Sequence, residues 1–251
     1  MNHRCERLRS WNLGAAILGA FLLAATACGP AAEERQTPAR SPAADAEWIW
    51  LQQAKRTLDG QRAKLAGGAA GAPDVARQSE ALAAELNRRL ADFINADPPV
   101  QGEPLTERQQ AAIRMKSDED IRLARQFIAQ GGDYQRAIDI YREALVVDPG
   151  NPRLREELVQ ARARRYVARE LFSRVKEGMD QEEVRGLLGQ PNLHNVREYP
   201  NRNVVGWFYP KDESGAAAAV WFHEDGGRYT VYRFDFDALQ PRSPAEPPAT
   251  P

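Results

Sequence analysis

Apolar side chains recur every three or four positions in the middle of the chain, between Tyr134 and Leu145. This spacing places them on one face of a helix and predicts an amphipathic α-helix. Asp148-Pro149 predicts the end of that helix, because proline disfavours helical geometry in the residue before it. The pair Gly131-Gly132 predicts a break before the helix. The stripe consists of Tyr134, Ala137, Ile138, Tyr141, Ala144 and Leu145.

Further apolar stripes predict that helices fill most of the first two thirds of the chain. Two of them lie in residues 47–97, on either side of the glycine-rich segment 67–71, and predict a helical hairpin. Thr106 and Gln109 fit the capping box that marks a helix start, and the following stripe runs up to Gly131. The stripes are Trp48, Leu51, Ala54, Leu58 and Leu65; Val75, Leu82, Leu86, Leu90 and Phe93; Ile121, Ala124, Phe127 and Ile128; and Leu154, Leu158 and Ala161.

The last third of the chain has a different composition. Asp180 and Glu183 have the spacing of a capping box, and Gly189 with Pro191 beyond it predicts the end of a short helix. Ten of the 20 aromatic residues lie between Tyr199 and Phe236, where residues that favour β-structure are concentrated. The predicted strands are residues 204–209, 216–223 and 228–236.

The alternation of side chains in the final strand indicates a sheet that is covered on one face. Tyr232, Phe234 and Phe236 are predicted to share one face, and the residues between them point the other way. The preceding helices are the expected cover. The predicted fold class is therefore α+β, a helical array followed by a small α-α-β-β-β unit. A further short strand near residues 193–198 is left open.

The N-terminus has the pattern of an export signal. Three arginines precede an uncharged apolar run, residues 13–27, which ends at Cys28. A run of this length is shorter than the roughly 20 residues that span a bilayer, so a secretory signal is expected in place of a membrane helix. Ala25-Thr26-Ala27-Cys28 resembles the lipobox of bacterial lipoproteins. The resemblance implies removal of residues 1–27, lipidation of Cys28 and, from Gly29, sorting to the outer membrane.

Two other segments are predicted to lack a packed core. Residues 28–46 contain three prolines among Ala, Glu, Arg and Ser and predict a flexible tether. Residues 239–251 predict a disordered, proline-rich tail. The formal net charge of the chain is −1. Since nucleic-acid binding needs a basic excess on one face, no nucleic-acid partner is expected.

The region 106–168 combines small and aromatic residues at a spacing known from helical repeats, namely Ala124, Gly132, Tyr134, Ala137, Tyr141, Ala144 and Asp148-Pro149-Gly150-Asn151. Residues from about 118 to 151 resemble one tetratricopeptide repeat. The resemblance implies a unit that stacks on neighbouring helices and a concave face that binds an extended peptide or a helix. It places four residues near that groove, and a solvated helix surface is the alternative for them. They are Arg122, Gln126, Arg153 and Gln160.

The region 169–238 carries a second pattern. Gly178-Met179 is followed by Val184, by Leu187-Leu188-Gly189 and by Pro191, and later by Trp207-Phe208-Tyr209 and a terminal hairpin. These residues resemble the SmpA/OmlA (BamE-like) domain. The resemblance implies a small interaction module of envelope lipoproteins, best known as an accessory of the outer-membrane β-barrel assembly machinery.

The sequence offers no arrangement of residues typical of catalysis. His194 and His223 are the histidines that follow the signal, and neither belongs to a zinc or serine-hydrolase pattern. Both are expected to be solvated surface residues. We therefore expect no enzyme activity, no catalytic residue, no metal site and no cofactor.

Together these patterns predict a non-enzymatic, lipid-anchored lipoprotein of the outer membrane that faces the periplasm. The predicted function is a protein-protein interaction scaffold, in outer-membrane protein assembly or envelope maintenance, with another envelope protein as its partner. Two alternatives stay open. One is a structural role in contact with lipid or cell wall, and the other is an inhibitor or regulator of an exported enzyme.

Overall fold

Helices come first in the described chain and an antiparallel sheet follows them. The computed structural model describes residues 41–68, 72–100 and 102–241. The long helices are α1 (Pro42–Ala66), α2 (Ala72–Ala96), α3 (Glu107–Gly131), α4 (Tyr134–Val147) and α5 (Pro152–Arg165). Two short helices, α6 (Arg169–Phe172) and α7 (Gln181–Leu188), precede the strands β1 (Val196–Tyr199), β2 (Val204–Pro210), β3 (Ala217–Asp225) and β4 (Arg228–Leu239). The α+β class, a helical array followed by a small sheet, is confirmed.

Capping side chains set several helix ends at the predicted places. The Thr106 hydroxyl accepts a hydrogen bond from the Gln109 backbone N–H, and the Gln109 side chain accepts one from the Thr106 N–H. This capping box starts α3. Asp180 and Glu183 form the same reciprocal pair at the start of α7. These helix starts were therefore readable from local sequence.

Two boundaries differ from the prediction. α1 begins at Pro42, inside the predicted tether, because the Ser41 hydroxyl accepts a hydrogen bond from the Ala44 N–H and proline suits the first helical position. β4 continues to Leu239, which pairs with Ala217, so the first residue of the predicted tail lies in the sheet. The predicted signal peptide, Cys28, the tether up to residue 40 and residues 242–251 lie outside the described residues.

α3 belongs to two apolar cores and thereby links the first hairpin to the later helices. Leu51 and Leu58 of α1 pack with Leu86 and Leu90 of α2, and Ala112 of α3 completes this core. The second core joins α3, α4 and α5, and its alanines allow the helices to approach closely. Its buried members are Ile121, Ala124, Ala137, Ile138, Ile140, Tyr141, Ala144, Leu154, Leu158 and Ala161.

A buried carboxylate adds a polar link between α1 and α3. The Glu119 side chain is 1% exposed and accepts two hydrogen bonds from the Arg62 guanidinium, at 2.9 and 2.7 Å. The Lys55 ammonium lies 3.5 Å from the same carboxylate. A buried charge is tolerated only when it is paired and hydrogen-bonded. The Arg62–Glu119 pair therefore constrains how the first hairpin sits on α3.

The sheet has the strand order β1-β2-β3-β4 with antiparallel pairing throughout. One face, here called the covered face, packs against α6 and α7, as the half-covered sheet of the prediction required. Phe172, Val184 and Leu188 bring the helical side of this core. The strands contribute Trp207, Tyr209, Ala218, Val220, Phe222 and Val231.

The strands depart from the prediction in two ways. β1 is a fourth strand that pairs with β2, so the α-α-β-β-β unit of the prediction was one strand short and the open alternative near residues 193–198 was correct. The pairing of β3 with β4 shifts register at Tyr232. Phe222 pairs with Val231 and Trp221 with Arg233, so Tyr232 falls between the two pairs. This bulge breaks the simple alternation, and Tyr232 lies against His223, whereas Phe236 packs on Phe172.

Glu119→Ala should lower the free energy of unfolding by about 3 kcal/mol, because Arg62 would lose its partner in a partly buried site. The matched control is Asp118→Ala, which removes an ion pair with Arg153 whose side chains are 43% and 57% exposed and should cost less than about 1 kcal/mol. Urea unfolding of the two variants gives the comparison. Equal losses would show that the buried pair does not anchor the hairpin.

Candidate functional site

The four residues predicted to line a groove are all exposed, on α3 and α5. Arg153 donates a hydrogen bond to Asp118 at 2.6 Å, across the contact between α5 and α3. The Arg122 guanidinium lies 3.9 Å from Glu119 and 4.0 Å from Asp59 of α1. Gln160 donates to Glu156 of its own helix at 3.4 Å. The structure thus places Arg122 at the α1–α3 contact and Arg153 at the α3–α5 contact.

Arg122 and Arg153 belong to a series of ion pairs that crosses α1, α3 and α5. Arg125 of α3 pairs with Glu157 of α5, and the Tyr141 hydroxyl also donates to Glu157, at 3.2 Å. The hydrogen bond from Arg125 holds the pKa of Glu157 below its usual value. Sequence analysis did not predict these partners. Within this series Arg153 is paired with Asp118. The carboxylates near Arg122 are farther from its guanidinium, so that cation is weakly paired.

A second candidate site lies where the helical region meets the loop after α7. Gly132 has a φ of 60°, and a Cβ atom there would lie 2.3 Å from the carbonyl oxygen of Pro191. The Tyr134 hydroxyl accepts a hydrogen bond from the Gln190 N–H at 3.2 Å. A Cβ atom at Gly189 would lie 2.4 Å from that hydroxyl oxygen. The two glycine turns that sequence analysis identified separately are therefore in direct contact.

Two more hydrogen bonds fix this contact, which we call the junction. The Tyr209 hydroxyl of β2 donates to the Gly189 carbonyl at 3.3 Å. The Val167 N–H donates to the Pro210 carbonyl at 2.9 Å, which ties the chain after α5 to the end of β2. Burial raises the pKa of both Tyr134 and Tyr209, so both phenols are neutral at physiological pH. The junction is thus joined by neutral hydrogen bonds and close packing.

A cleft of about 400 Å³ opens beside the junction. Its size is that of a small-ligand or short-peptide site, and such sites are common where structural units meet. Its lining comes from the start of α4, the end of α5, the loop after α7 and the β2–β3 connection. Arg164 and Arg165, Tyr134 and Tyr166, and Asn192 and Asn195 are among the lining residues. Sequence analysis did not predict this cleft, because its walls are distant from one another along the chain.

The sheet face opposite the covered face, here called the open face, carries two arginines over aromatic rings. The Arg197 guanidinium lies 4.9 Å from the centre of the Phe208 ring, and that of Arg233 lies 4.8 Å from Trp221. Trp207, in contrast, is 4% exposed in the core of the covered face. Trp207 therefore belongs to the core of the covered face, and Trp221 is half-buried on the open face.

Residues associated with other functions are few in the described ranges. His194 and His223 are exposed, as expected for surface histidines. Across residues 41–68, 72–100 and 102–241 no group of three or more His, Cys, Asp or Glu side chains is placed to hold a metal ion. None of the helices in these ranges combines the length and the apolar composition of a bilayer-spanning segment.

Gly132→Ala should lower the free energy of unfolding by about 1 to 3 kcal/mol more than Gly178→Ala, because its methyl group would also overlap the Pro191 backbone. Both glycines have positive φ, 60° and 84°, but a Cβ atom at Gly178 would meet nothing within 4 Å. The control therefore isolates the contact from the backbone strain. Thermal or urea unfolding measures the difference, and equal destabilisation would refute the close contact.

No family model, curated protein or solved structure matches this chain. A function for this chain has to be argued from its own residues and geometry.

Proposed function

We propose that this chain is a non-enzymatic envelope lipoprotein, anchored in the outer membrane through Cys28 and facing the periplasm, that acts as a protein-protein interaction scaffold. The observation that carries the proposal is the junction. Gly132 lies against Pro191, and Tyr134 against Gly189, so the helices and the sheet hold fixed positions relative to each other. A rigid surface composed of two units suits recognition, since it loses little conformational freedom on binding.

The helical packing supports a tetratricopeptide-like array. Ala124 and Ala137 are fully buried between α3 and α4, and Tyr141 fills the adjoining core. The first hairpin continues the array on the other side of α3, through the Arg62–Glu119 pair. One feature departs from the short helices of such repeats, since α3 spans 25 residues. We propose that residues 42–96 form a divergent repeat that extends the binding face.

The C-terminal unit supports a BamE-like interaction module. Two helices pack on one face of an antiparallel sheet, and α7 is capped by Gly189, two residues before Pro191. The open face adds Trp221 and Arg233, residue types that are enriched at binding hot spots. In this proposal the module presents its open face to an envelope protein, which would place the chain in outer-membrane protein assembly or envelope maintenance.

Arg122 and Gln126 are the proposed partner-binding pair of the helical face. The Arg122 side chain is 51% exposed, and its carboxylate neighbours lie at 3.9 and 4.0 Å. Ion pairs at such distances on a surface contribute little. Arg122 can therefore re-pair with a carboxylate of a partner, whereas Arg153 is already bonded to Asp118 at 2.6 Å.

A photo-crosslinking residue at Gln126 should capture one discrete envelope protein in intact cells, and adding Arg122→Glu should reduce the yield several-fold through charge repulsion. The control pair is a crosslinker at Val146 with Arg142→Glu. Val146 is 82% exposed and follows Arg142 by four positions on α4, as Gln126 follows Arg122 on α3, and Arg142 is similarly exposed and lies 3.7 Å from Asp139. Immunoblotting of the crosslinked products is the measurement. The same product from both positions, with equal loss on charge reversal, would contradict the proposed face.

Cys28→Ser should abolish incorporation of a labelled fatty acid into the chain and release it from the membrane fraction, because lipid chains provide the anchoring proposed here. Metabolic labelling followed by membrane fractionation measures both effects. Ser41→Ala, which alters only the cap of α1, serves as the control and should keep label and membrane binding. Labelling of the Cys28→Ser protein at the wild-type level would refute the anchor.

A further inference from the structure

The cleft beside the junction is lined by both basic and acidic side chains. Arg164 is exposed on the wall of the cleft. Its Cδ atom and the Tyr134 hydroxyl both lie within 4.0 Å of the Cβ position of Gly189. The Arg164 guanidinium lowers the pKa of Tyr134, against the larger effect of burial. Asp212 and Glu213 line the same cleft and are also exposed. The cleft therefore offers both cationic donors and carboxylate acceptors.

The carboxylates of this cleft are already occupied by local bonds. Asp133 accepts the Arg136 N–H at the start of α4, and Asp212 accepts the Ser214 N–H. Glu213 lies 3.5 Å from Arg165 and accepts a hydrogen bond from Tyr166. Within the described part of the chain, no carboxylate lies within 4.0 Å of Arg164. Arg164 is thus the cation of the cleft that is left without an ionic partner.

We infer that this cleft binds a carboxylate group of an extended peptide, with the Arg164 guanidinium and the Tyr134 hydroxyl as its donors. Arginine pairs with a carboxylate through two parallel N–H donors, which gives both strength and orientation. The Tyr134 oxygen accepts from Gln190, so its own proton is available to donate. The side chains of Gln190 and Asn195 line the same cleft and can hydrogen-bond the peptide backbone.

The walls of the cleft are held in place before any ligand arrives. The Tyr209–Gly189 and Val167–Pro210 hydrogen bonds fix two sides of it. A preorganised site avoids the cost of ordering loops on binding. This inference rests on the proposed scaffold function, because the partner supplies the peptide, and it gives the scaffold a second contact apart from Arg122 and Gln126.

The test uses the full chain purified in detergent and three peptides. They are acetyl-trialanine with a free C-terminal carboxylate, its C-terminal amide, and the amide of acetyl-Ala-Glu-Ala. Binding is measured by calorimetry and by NMR of the glycine-labelled protein, where Gly132 and Gly189 report on the cleft and Gly226 on a distant turn. The acid peptide should bind saturably and shift the Gly132 and Gly189 signals. Binding of the glutamate peptide instead would assign the site to side-chain carboxylates.

Arg164→Gln should weaken binding of the carboxylate peptide about tenfold or more, since a charge-assisted bidentate pair is lost. Arg162→Gln is the matched control, an exposed arginine of the same helix end that does not line the cleft. The inference would be overturned if neither carboxylate peptide bound more tightly than the trialanine amide, or if the affinity for the carboxylate peptide that binds were unchanged in Arg164→Gln. Capture at Gln126 is independent of this cleft, so a failed peptide titration leaves the scaffold proposal standing.

Discussion

The structure depends on the close approach of two turns, Gly132 to Pro191 and Tyr134 to Gly189. Each glycine has a positive φ, and at each one a side chain would overlap the opposite turn. The approach therefore requires glycine at both positions. It places the end of α3, the start of α4 and the loop after α7 in one rigid cluster, and the candidate cleft exists only because this cluster forms.

α3 connects the junction to the rest of the helical region. Its C-terminal end forms the junction, its middle carries Glu119 and the α1 contact, and its N-terminal part completes the core of the first hairpin. A single two-helix unit buries too little apolar surface to fold alone. Shared helices solve this problem, since α3 contributes buried residues to both helical cores. The two helical cores are thus expected to fold together, and the junction attaches the sheet to them.

Local signals could be read from the sequence, and contacts between distant segments could not. The capping boxes at Thr106 and Asp180 set their helix starts through residues three positions apart, so the sequence contained the whole interaction. The Arg62–Glu119 pair joins residues 57 positions apart, and Tyr134 meets Gln190 across 56 positions. A single sequence carries no signal for such pairings. The cleft was missed for this reason, although the glycine turns beside it were recognised.

The same distinction explains the errors in the sheet. β1 has four residues and alternates only weakly in burial, which gives little pattern to read. The bulge at Tyr232 arises from pairing with β3, so the alternation of β4 alone predicted a regular strand. The candidate residues Arg122 and Arg153 both lie on exposed helix surfaces. Their ionic partners differ, and this difference decides which arginine is available to bind. The partners could be identified only from the structure, because they depend on how α1 and α5 pack on α3.

Native-state hydrogen exchange tests the central claim, that the helical array and the sheet form one cooperative unit joined at the junction. Ile138 lies in the core of α4 and Val220 in the core of β3, so their amides report on the two sides. The account predicts that both amides open with the same free energy, within about 1 kcal/mol, and with the same dependence on denaturant. A sheet that opens at lower free energy while α4 stays protected would contradict it.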